Sequence, residues 1–360
     1  MRISTMRLTV SAEIRPPQLH LQFPLLPPIL PTAAAAAAAT AFRQLPLKLR
    51  HRHRSPPLKS HHPQLPNPET TTTTSAAAAS SDDSGIPIEH VTTLAKFKSR
   101  HNYIRVLQVS RAADHPLAGS RLLLLDAPGN IHSISYIFKT LTDSYFDVFA
   151  TLPPILPPGP IAILGFGAGS AARIILDLYP EATVHGWELD PAVVSVAREY
   201  FGLEKLEKKH GGRLFIRTGN ALNANSKSGF AGIIVDLFRK GRVIPELQDP
   251  ATWEGLKRSL RRGGRMMVNV GGSCVEPEDV RSDGGLIMAE TLKAMDKVFP
   301  GKVRVLSTVD GREDDSSVAM TGAPPDAAAW KEALRQPLRL YVDMWRPYCA
   351  GGGVKSHAAD

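Results

Sequence analysis

The sequence predicts an α/β fold: a Rossmann-like parallel sheet covered by helices, preceded by a small N-terminal β domain. Three observations carry that reading. Ile161-Ala-Ile-Leu-Gly165-Phe-Gly167-Ala-Gly169-Ser-Ala-Ala-Arg173 reads as a buried strand, a glycine turn and a helix start. Apolar runs and amphipathic segments then alternate from Thr183 to Val270. Finally, two short apolar runs at 302–306 and 316–320 flank a polar loop, so they can pair as an antiparallel hairpin.

Of 360 residues, 43% are hydrophobic, enough for a real core. No uninterrupted apolar run reaches the roughly 18–20 residues of a membrane helix, so the chain reads as soluble with no membrane partner. Cys274 and Cys349 lie far apart without a CxxC, which argues against a disulfide framework and against a bound metal. The net charge of +9 sits mostly in residues 1–80, which hold nine Lys/Arg against Glu13 and Glu69. The high pI therefore does not argue for a nucleic-acid partner. Residues 1–80 are rich in Pro, Ser, Thr and Ala, with runs at 33–39 and 70–74, the composition of an organelle transit peptide. The Ser/Thr/Pro content favours chloroplast; Arg2, Arg7 and Arg15 keep mitochondrion as the alternative. A plain disordered tail is the other reading.

Ordered structure is expected from residue 86. Strands at 103–109, 121–125 and 131–137, with the turn Asp126-Ala-Pro-Gly-Asn130, make a small β domain running to 155. A short helix at 145–152 ends it, and Pro153, Pro154, Pro157 and Pro158 form a stiff linker. The main domain, 156–345, opens with the glycine turn, and Pro180 stops the helix behind it. Residues 183–188 form the second strand; Asp190 caps a helix beginning at Pro191 and running to about Tyr200. Strands follow at 213–217 and 232–236. A helix at 253–262 stops at Gly263 and Gly264, a strand follows at 265–270, and a helix at 285–299 precedes the closing hairpin. Residues 346–360 read as a tail.

Ligands of open α/β sheets bind at the carboxyl ends of the strands. The turn at Gly165, Gly167 and Gly169 lets a ligand approach the backbone, with a helix N-terminus behind it. Glu188 lies 23 residues after Gly165, the range for an acid that binds ribose hydroxyls; the alternative is a surface acid near a helix start. Asn220-Ala221 can meet a base edge, or Asn220 can support its own turn. Asp236 closes an Ile-Ile-Val strand and suits a general base or the anchor of a cationic substrate, with a structural cap as the alternative. An NAD fingerprint needs Gly or Ala where Ser170 stands; G-x-G-x-G is the spacing for an S-adenosyl nucleoside.

From about Ser99 to Gly322 the sequence resembles spermidine synthase and its relatives, aminopropyltransferases with the S-adenosylmethionine-dependent methyltransferase fold. The matching words are Ile163-Leu-Gly-Phe-Gly-Ala-Gly169, Trp187-Glu-Leu-Asp190, Gly219-Asn-Ala221, Ile233-Ile-Val-Asp236 and Arg262-Gly-Gly264. The segment Tyr145-Phe-Asp-Val-Phe-Ala-Thr-Leu-Pro153 and the apolar Ile163 are similar too. The resemblance implies a closing antiparallel strand. It also implies S-adenosyl-L-methionine or its decarboxylated form as cofactor, held by Gly165, Phe166, Gly167, Gly169, Glu188, Leu189, Asn220 and Ala221, with Asp236 catalytic. Two acids of the family's amine site are replaced: Ala168 stands in the turn, and the fourth strand ends Asp236-Leu-Phe-Arg239. Arg239, with Lys240 and Arg242, favours an anionic acceptor or a cofactor that keeps its carboxylate.

The expected function is an S-adenosylmethionine-binding transferase, spermidine synthase-like, passing a methyl group to a small-molecule acceptor. One alternative is a plastid polyamine aminopropyltransferase using decarboxylated S-adenosylmethionine. Another is a non-catalytic nucleoside-binding or interaction protein of the same fold. A homodimer is compatible with each.

Overall fold

The computed structural model describes residues 49–50, 86–272, 275–306 and 318–349. The transit peptide expected at 1–80 therefore lies outside the described residues, apart from a two-residue strand, β1 (Leu49–Arg50), paired in parallel with β2 (Ile86–Pro87). Cys274 and most of the tail lie outside them as well.

The small domain is an antiparallel meander of β3 (Val91–Lys98), β4 (Tyr103–Val109), β5 (Ser120–Leu124) and β6 (Ile131–Tyr136), in that spatial order. Its central strands bury Ile104, Val106, Leu122, Leu123 and Leu124 completely. The sequence reading missed β3, whose Thr- and Lys-bearing positions suit a solvent-facing edge strand and dilute its apolar alternation. Helix α1 (Tyr145–Phe149) follows, capped by the Ser144 hydroxyl, which accepts from the Phe146 amide. The Asp147 carboxylate accepts from the Thr142 amide (2.8 Å), the Thr142 hydroxyl (2.7 Å) and the Asp143 amide (2.8 Å). That acid is committed to folding its own turn.

The larger domain is one eight-stranded sheet. Its first half comprises β7 (Ile161–Leu164), β8 (Val184–Glu188), β9 (Leu214–Thr218) and β10 (Phe230–Val235). The second half adds β11 (Leu260–Asn269), β12 (Val303–Leu306), β13 (Val318–Thr321) and β14 (Trp345–Pro347). Spatial order is β14-β12-β13-β11-β10-β7-β8-β9. Strands β7 to β11 pair in parallel; β13 runs antiparallel to both β11 and β12. This is the closing hairpin that the sequence led us to expect. Every residue of β7 and β10 is buried, as central strands covered on both faces require. Between them the chain order reverses, which opens a crevice at their carboxyl ends.

Helices α2 (Ser170–Leu178), α3 (Pro191–Tyr200), α4 (Leu203–Lys209), α5 (Pro250–Arg258) and α6 (Gly284–Val298) connect the strands. Asp190 and Asp249 each accept an amide of the first turn, at the starts of α3 and α5. Gly263 and Gly264, expected to stop the helix before β11, lie inside that strand instead. The β10–β11 register slips between Phe230 and Gly232, and Gly263 takes φ +79° in the resulting bulge. The chain then continues past the boundary expected at 345. Helices α7 (Ala327–Ala333) and α8 (Gln336–Arg339) lead into β14, which pairs with β12, so Arg346 and Pro347 belong to the sheet. Among the described residues, no helix is long and apolar enough to cross a membrane.

Hydrogen bonds join the two domains at the glycine turn. The Ser170 hydroxyl accepts from the Ile134 amide (3.0 Å) and donates to the Ile134 carbonyl (2.9 Å). The Ala168 amide donates to the Ser133 hydroxyl (2.8 Å). Ser170, the residue that spoils the NAD pattern, is thus a clamp between α2 and the small domain.

Candidate nucleoside-binding and transfer site

At the crevice lies a cleft of about 310 Å³. Its walls combine the glycine turn (Gly165, Gly167), the end of β8 (Glu188, Leu189), the turn after β9 (Asn220, Ala221) and the end of β10 (Asp236 to Arg239). Four motifs spread along the chain from Gly165 to Arg239 therefore meet at one place, as the strand-end rule predicts.

Glu188 is buried, and its two carboxylate oxygens accept from the Gly167 amide (2.9 Å) and the Asp190 amide (3.1 Å). Burial raises its pKa, against those backbone hydrogen bonds. A fixed carboxylate beside the turn can accept from a vicinal diol. Leu189 is half exposed next to it, an apolar surface for a base. Asn220 spends its side-chain oxygen on the Leu222 amide (3.0 Å), the turn-supporting role weighed from the sequence. Its amide group is the donor left for a ligand.

Gly165 has φ +86°, and a Cβ placed there would sit 2.0 Å from the Asp236 carbonyl oxygen. The glycine lets the ends of β7 and β10 touch. Two residues expected to hold the cofactor do not line the cleft. The Phe166 ring is buried in the core, where a Cβ on Gly186 would meet it at 2.1 Å. Gly169 is the left-handed N-cap of α2, and its amide donates to the Phe166 carbonyl. Both shape the turn from behind.

Asp236 stands at the end of β10. The Tyr145 hydroxyl donates to its Oδ2 and the Asn269 amide to its Oδ1, each at 2.9 Å. Burial pushes its carboxyl up to about 6, while those two hydrogen bonds and the nearby His132 pull it down. A carboxylate with both oxygens oriented and a pKa near neutrality is equipped to accept a proton. Tyr145→Phe removes one donor, so the Asp236 carboxyl should rise further. We expect the acidic limb of the pH–rate profile to move above pH 6, with a rate loss of roughly tenfold.

Sequence reasoning missed several lining residues. His132, on β6, reaches the cleft, and its Nε2 meets the Asp126 carboxylate at 3.0 Å. Asp126 also accepts from the Gly129 and Asn130 amides and the Asn130 side chain. Burial alone would lower the His132 pKa; the Asp126 hydrogen bond and charge, with Asp236 and Glu188, raise it instead. Within the turn Asp126-Ala-Pro-Gly-Asn130, an Asp three residues before a Gly-Asn pair is the signal for an acid aimed at its own loop. His101 and Asn102 line the cleft as well. Their β3–β4 turn is tied to Asp190 by the Ser99 hydroxyl and by Asn102 (2.8 Å). Of the three cations expected near Asp236, Arg239 lines the cleft, whereas Arg242 reaches Ser282 instead and Lys240 lies outside it. Among the described residues, no group of three or more His, Cys, Asp or Glu could hold a metal.

No family model matches the chain. A probable polyamine aminopropyl transferase of Bifidobacterium longum (strain NCC 2705) is 26% identical over 174 residues, 48% of this chain and 36% of that protein. A polyamine aminopropyltransferase of Vibrio vulnificus (strain CMCP6) is 34% identical over 94 residues, 25% of this chain and 29% of that protein. The chain thus matches about a third of the length of these curated relatives. Among solved structures, a probable spermidine synthase from Corynebacterium glutamicum ATCC 13032 superposes with a TM-score of 0.49 at 20% identity, covering 67% of this chain and 86% of that one. Over the matched residues the chain is similar to polyamine aminopropyltransferases, and its sheet has the Rossmann-like arrangement of parallel strands closed by an antiparallel one that the sequence predicts.

Proposed function

We propose that the chain is an aminopropyltransferase of the spermidine synthase type, using decarboxylated S-adenosylmethionine and an amine acceptor. The observation that carries this reading is Asp236: an oriented carboxylate with a pKa of about 6, at the strand end beside the glycine turn. The names of both curated relatives favour this reading over the methyl transfer expected from sequence. The cleft fits the nucleoside on its own terms. Glu188 offers fixed acceptor oxygens and Leu189 an apolar face, beside the Gly165 and Gly167 backbone that lines the same cleft.

The decarboxylated nucleoside, when bound, supplies a sulfonium-activated propyl carbon. The chain's own contribution is to position and to deprotonate. Asp236 draws in the acceptor ammonium and takes one of its protons, leaving a neutral amine with a free electron pair. Tyr145 and Asn269 hold the carboxylate in register while it does so. As the new C–N bond forms, the C–S bond breaks with its electrons going to sulfur, so a neutral thioether leaves.

Arg239 favours the second reading, use of the full cofactor, because its cation would suit the carboxylate that decarboxylation removes. Calorimetric titration with the two nucleosides separates them. We expect the decarboxylated form to bind at least about tenfold tighter; the reverse order would favour methyl transfer.

A further inference from the structure

A second cavity, of about 450 Å³, lies away from the cleft, between α2, α4 and the segment that follows β6. Four full cations line it, Lys139, Arg173, Lys205 and Lys209, against one acid, Asp177. Asp177 already accepts from the Thr140 hydroxyl (3.1 Å) and lies 3.8 Å from Lys209. Lys139 pairs with Asp143 and rests over the Tyr136 ring. The acids of α4 are engaged elsewhere, Glu204 with Lys208 (2.6 Å) and Glu207 with Arg198 (2.8 Å). Positive charge in this pocket is therefore in excess.

Two buried donors of the same pocket have no hydrogen-bond partner. Arg173 gives one nitrogen, Nη2, to the Phe201 carbonyl (2.5 Å), and its buried Nη1 has none. His210 faces the Arg213 guanidinium across 2.7 Å at Nδ1. A guanidinium can only donate, so Nδ1 must accept and the ring proton sits on Nε2. That Nε2 is buried and unpartnered too. Burial, with Arg213 and Lys209, lowers the His210 pKa. Both orphans are donors, so what is missing is an acceptor. The pocket also carries Ile137 and Phe138, which are 66% and 59% exposed. Such side chains offer a flat apolar contact beside the cations.

We propose that this pocket is a second binding site, separate from the transfer cleft, for a small organic phosphate whose oxygens meet the Arg173, His210 and α4 lysine donors while its apolar part covers Phe138. A phosphate, with three acceptor oxygens and up to two charges, answers several donors and an excess of cations better than a single carboxylate does.

The test uses the full chain and phenyl phosphate as the probe, with inorganic phosphate in parallel, by calorimetry. We expect phenyl phosphate to bind about tenfold tighter than inorganic phosphate. Lys205→Glu with Lys209→Glu, both exposed positions, should weaken both ligands at least about tenfold without changing the circular dichroism spectrum. Phe138→Ala should abolish the preference between the two phosphates. Saturating 5′-methylthioadenosine, which targets the cleft, should leave phenyl phosphate binding unchanged. Absence of saturable binding, equal affinity for the two phosphates, insensitivity to the lysine changes, or displacement by the nucleoside would each overturn the proposal.

Discussion

Asp236→Asn should lower kcat by about 10²- to 10⁴-fold, the range set by loss of a general base. It should do so without lowering thermal stability. The Asp236 carboxyl is held at about 6 in the folded chain, against 3.8 for the unperturbed group. Between those values the folded chain binds more protons than the unfolded one. Stability is therefore lost as pH rises from about 4 to about 6, by up to about 3 kcal/mol. Asparagine carries no charge to desolvate and can still accept from Tyr145 or Asn269. At pH 8 the variant should melt at the same temperature as the parent or higher, and the difference should shrink towards pH 4. Melting curves at the two pH values, set beside kcat, check both halves. A variant that melts markedly lower at pH 8 would make Asp236 a structural acid. In the parent, kcat/KM should rise with pH through an acidic limb near 6.

Gly165→Ala carries the second large effect, and it acts on fold and site together. Its Cβ would lie 2.0 Å from the Asp236 carbonyl oxygen and 2.8 Å from the carbonyl carbon, both rigid backbone atoms. The residue would also be held at φ +86°. Overpacking and left-handed strain together cost roughly 2–5 kcal/mol, a fall in Tm of roughly 5–15 °C for a domain of this size. The β10 end must move to relieve the contact, which displaces Asp236 from Tyr145 and Asn269. Nucleoside affinity should fall at least about tenfold. Gly202→Ala is the control: φ is +67° there, but nothing lies within 4 Å of the added Cβ. Its Tm loss should be the smaller of the two. Equal losses would mean that the approach of β7 to β10 is looser than described.

Local signals carried much of this fold. The bounds of β4 and α3 are those read from alternation at Tyr103–Val109 and from the Asp190-Pro191 cap. The parallel strands and the final antiparallel hairpin are as the sequence predicts, whereas their spatial order comes from the structure. Elements whose cause is tertiary were not legible. Edge strand β3 has weak alternation because one side meets solvent, and β14 is a three-residue strand that exists because β12 offers it a free edge. Gly263 and Gly264 look like a helix stop until the β10 register slip shows them as a bulge.

The site divides the same way. Gly165, Gly167, Glu188, Leu189, Asn220, Ala221 and Asp236 announced themselves as strand-end residues and do line the cleft. Phe166 sits between two of them in sequence but points the other way, because a glycine at 186 leaves room for its ring beneath the turn. Tyr145 enters the sequence reading only through the resemblance of its segment, and His132 and Asn269 carry no local signal of a site. Each comes from a different element, and only packing of the small domain onto the sheet brings the first two beside Asp236.

The most direct measurement is product analysis by mass spectrometry after incubating the chain with decarboxylated S-adenosylmethionine and a panel of amines. Aminopropyl transfer predicts 5′-methylthioadenosine together with an amine heavier by one aminopropyl group, neither formed by Asp236→Asn. Formation of S-adenosylhomocysteine and a methylated acceptor from S-adenosylmethionine, with no product from the decarboxylated form, would contradict it.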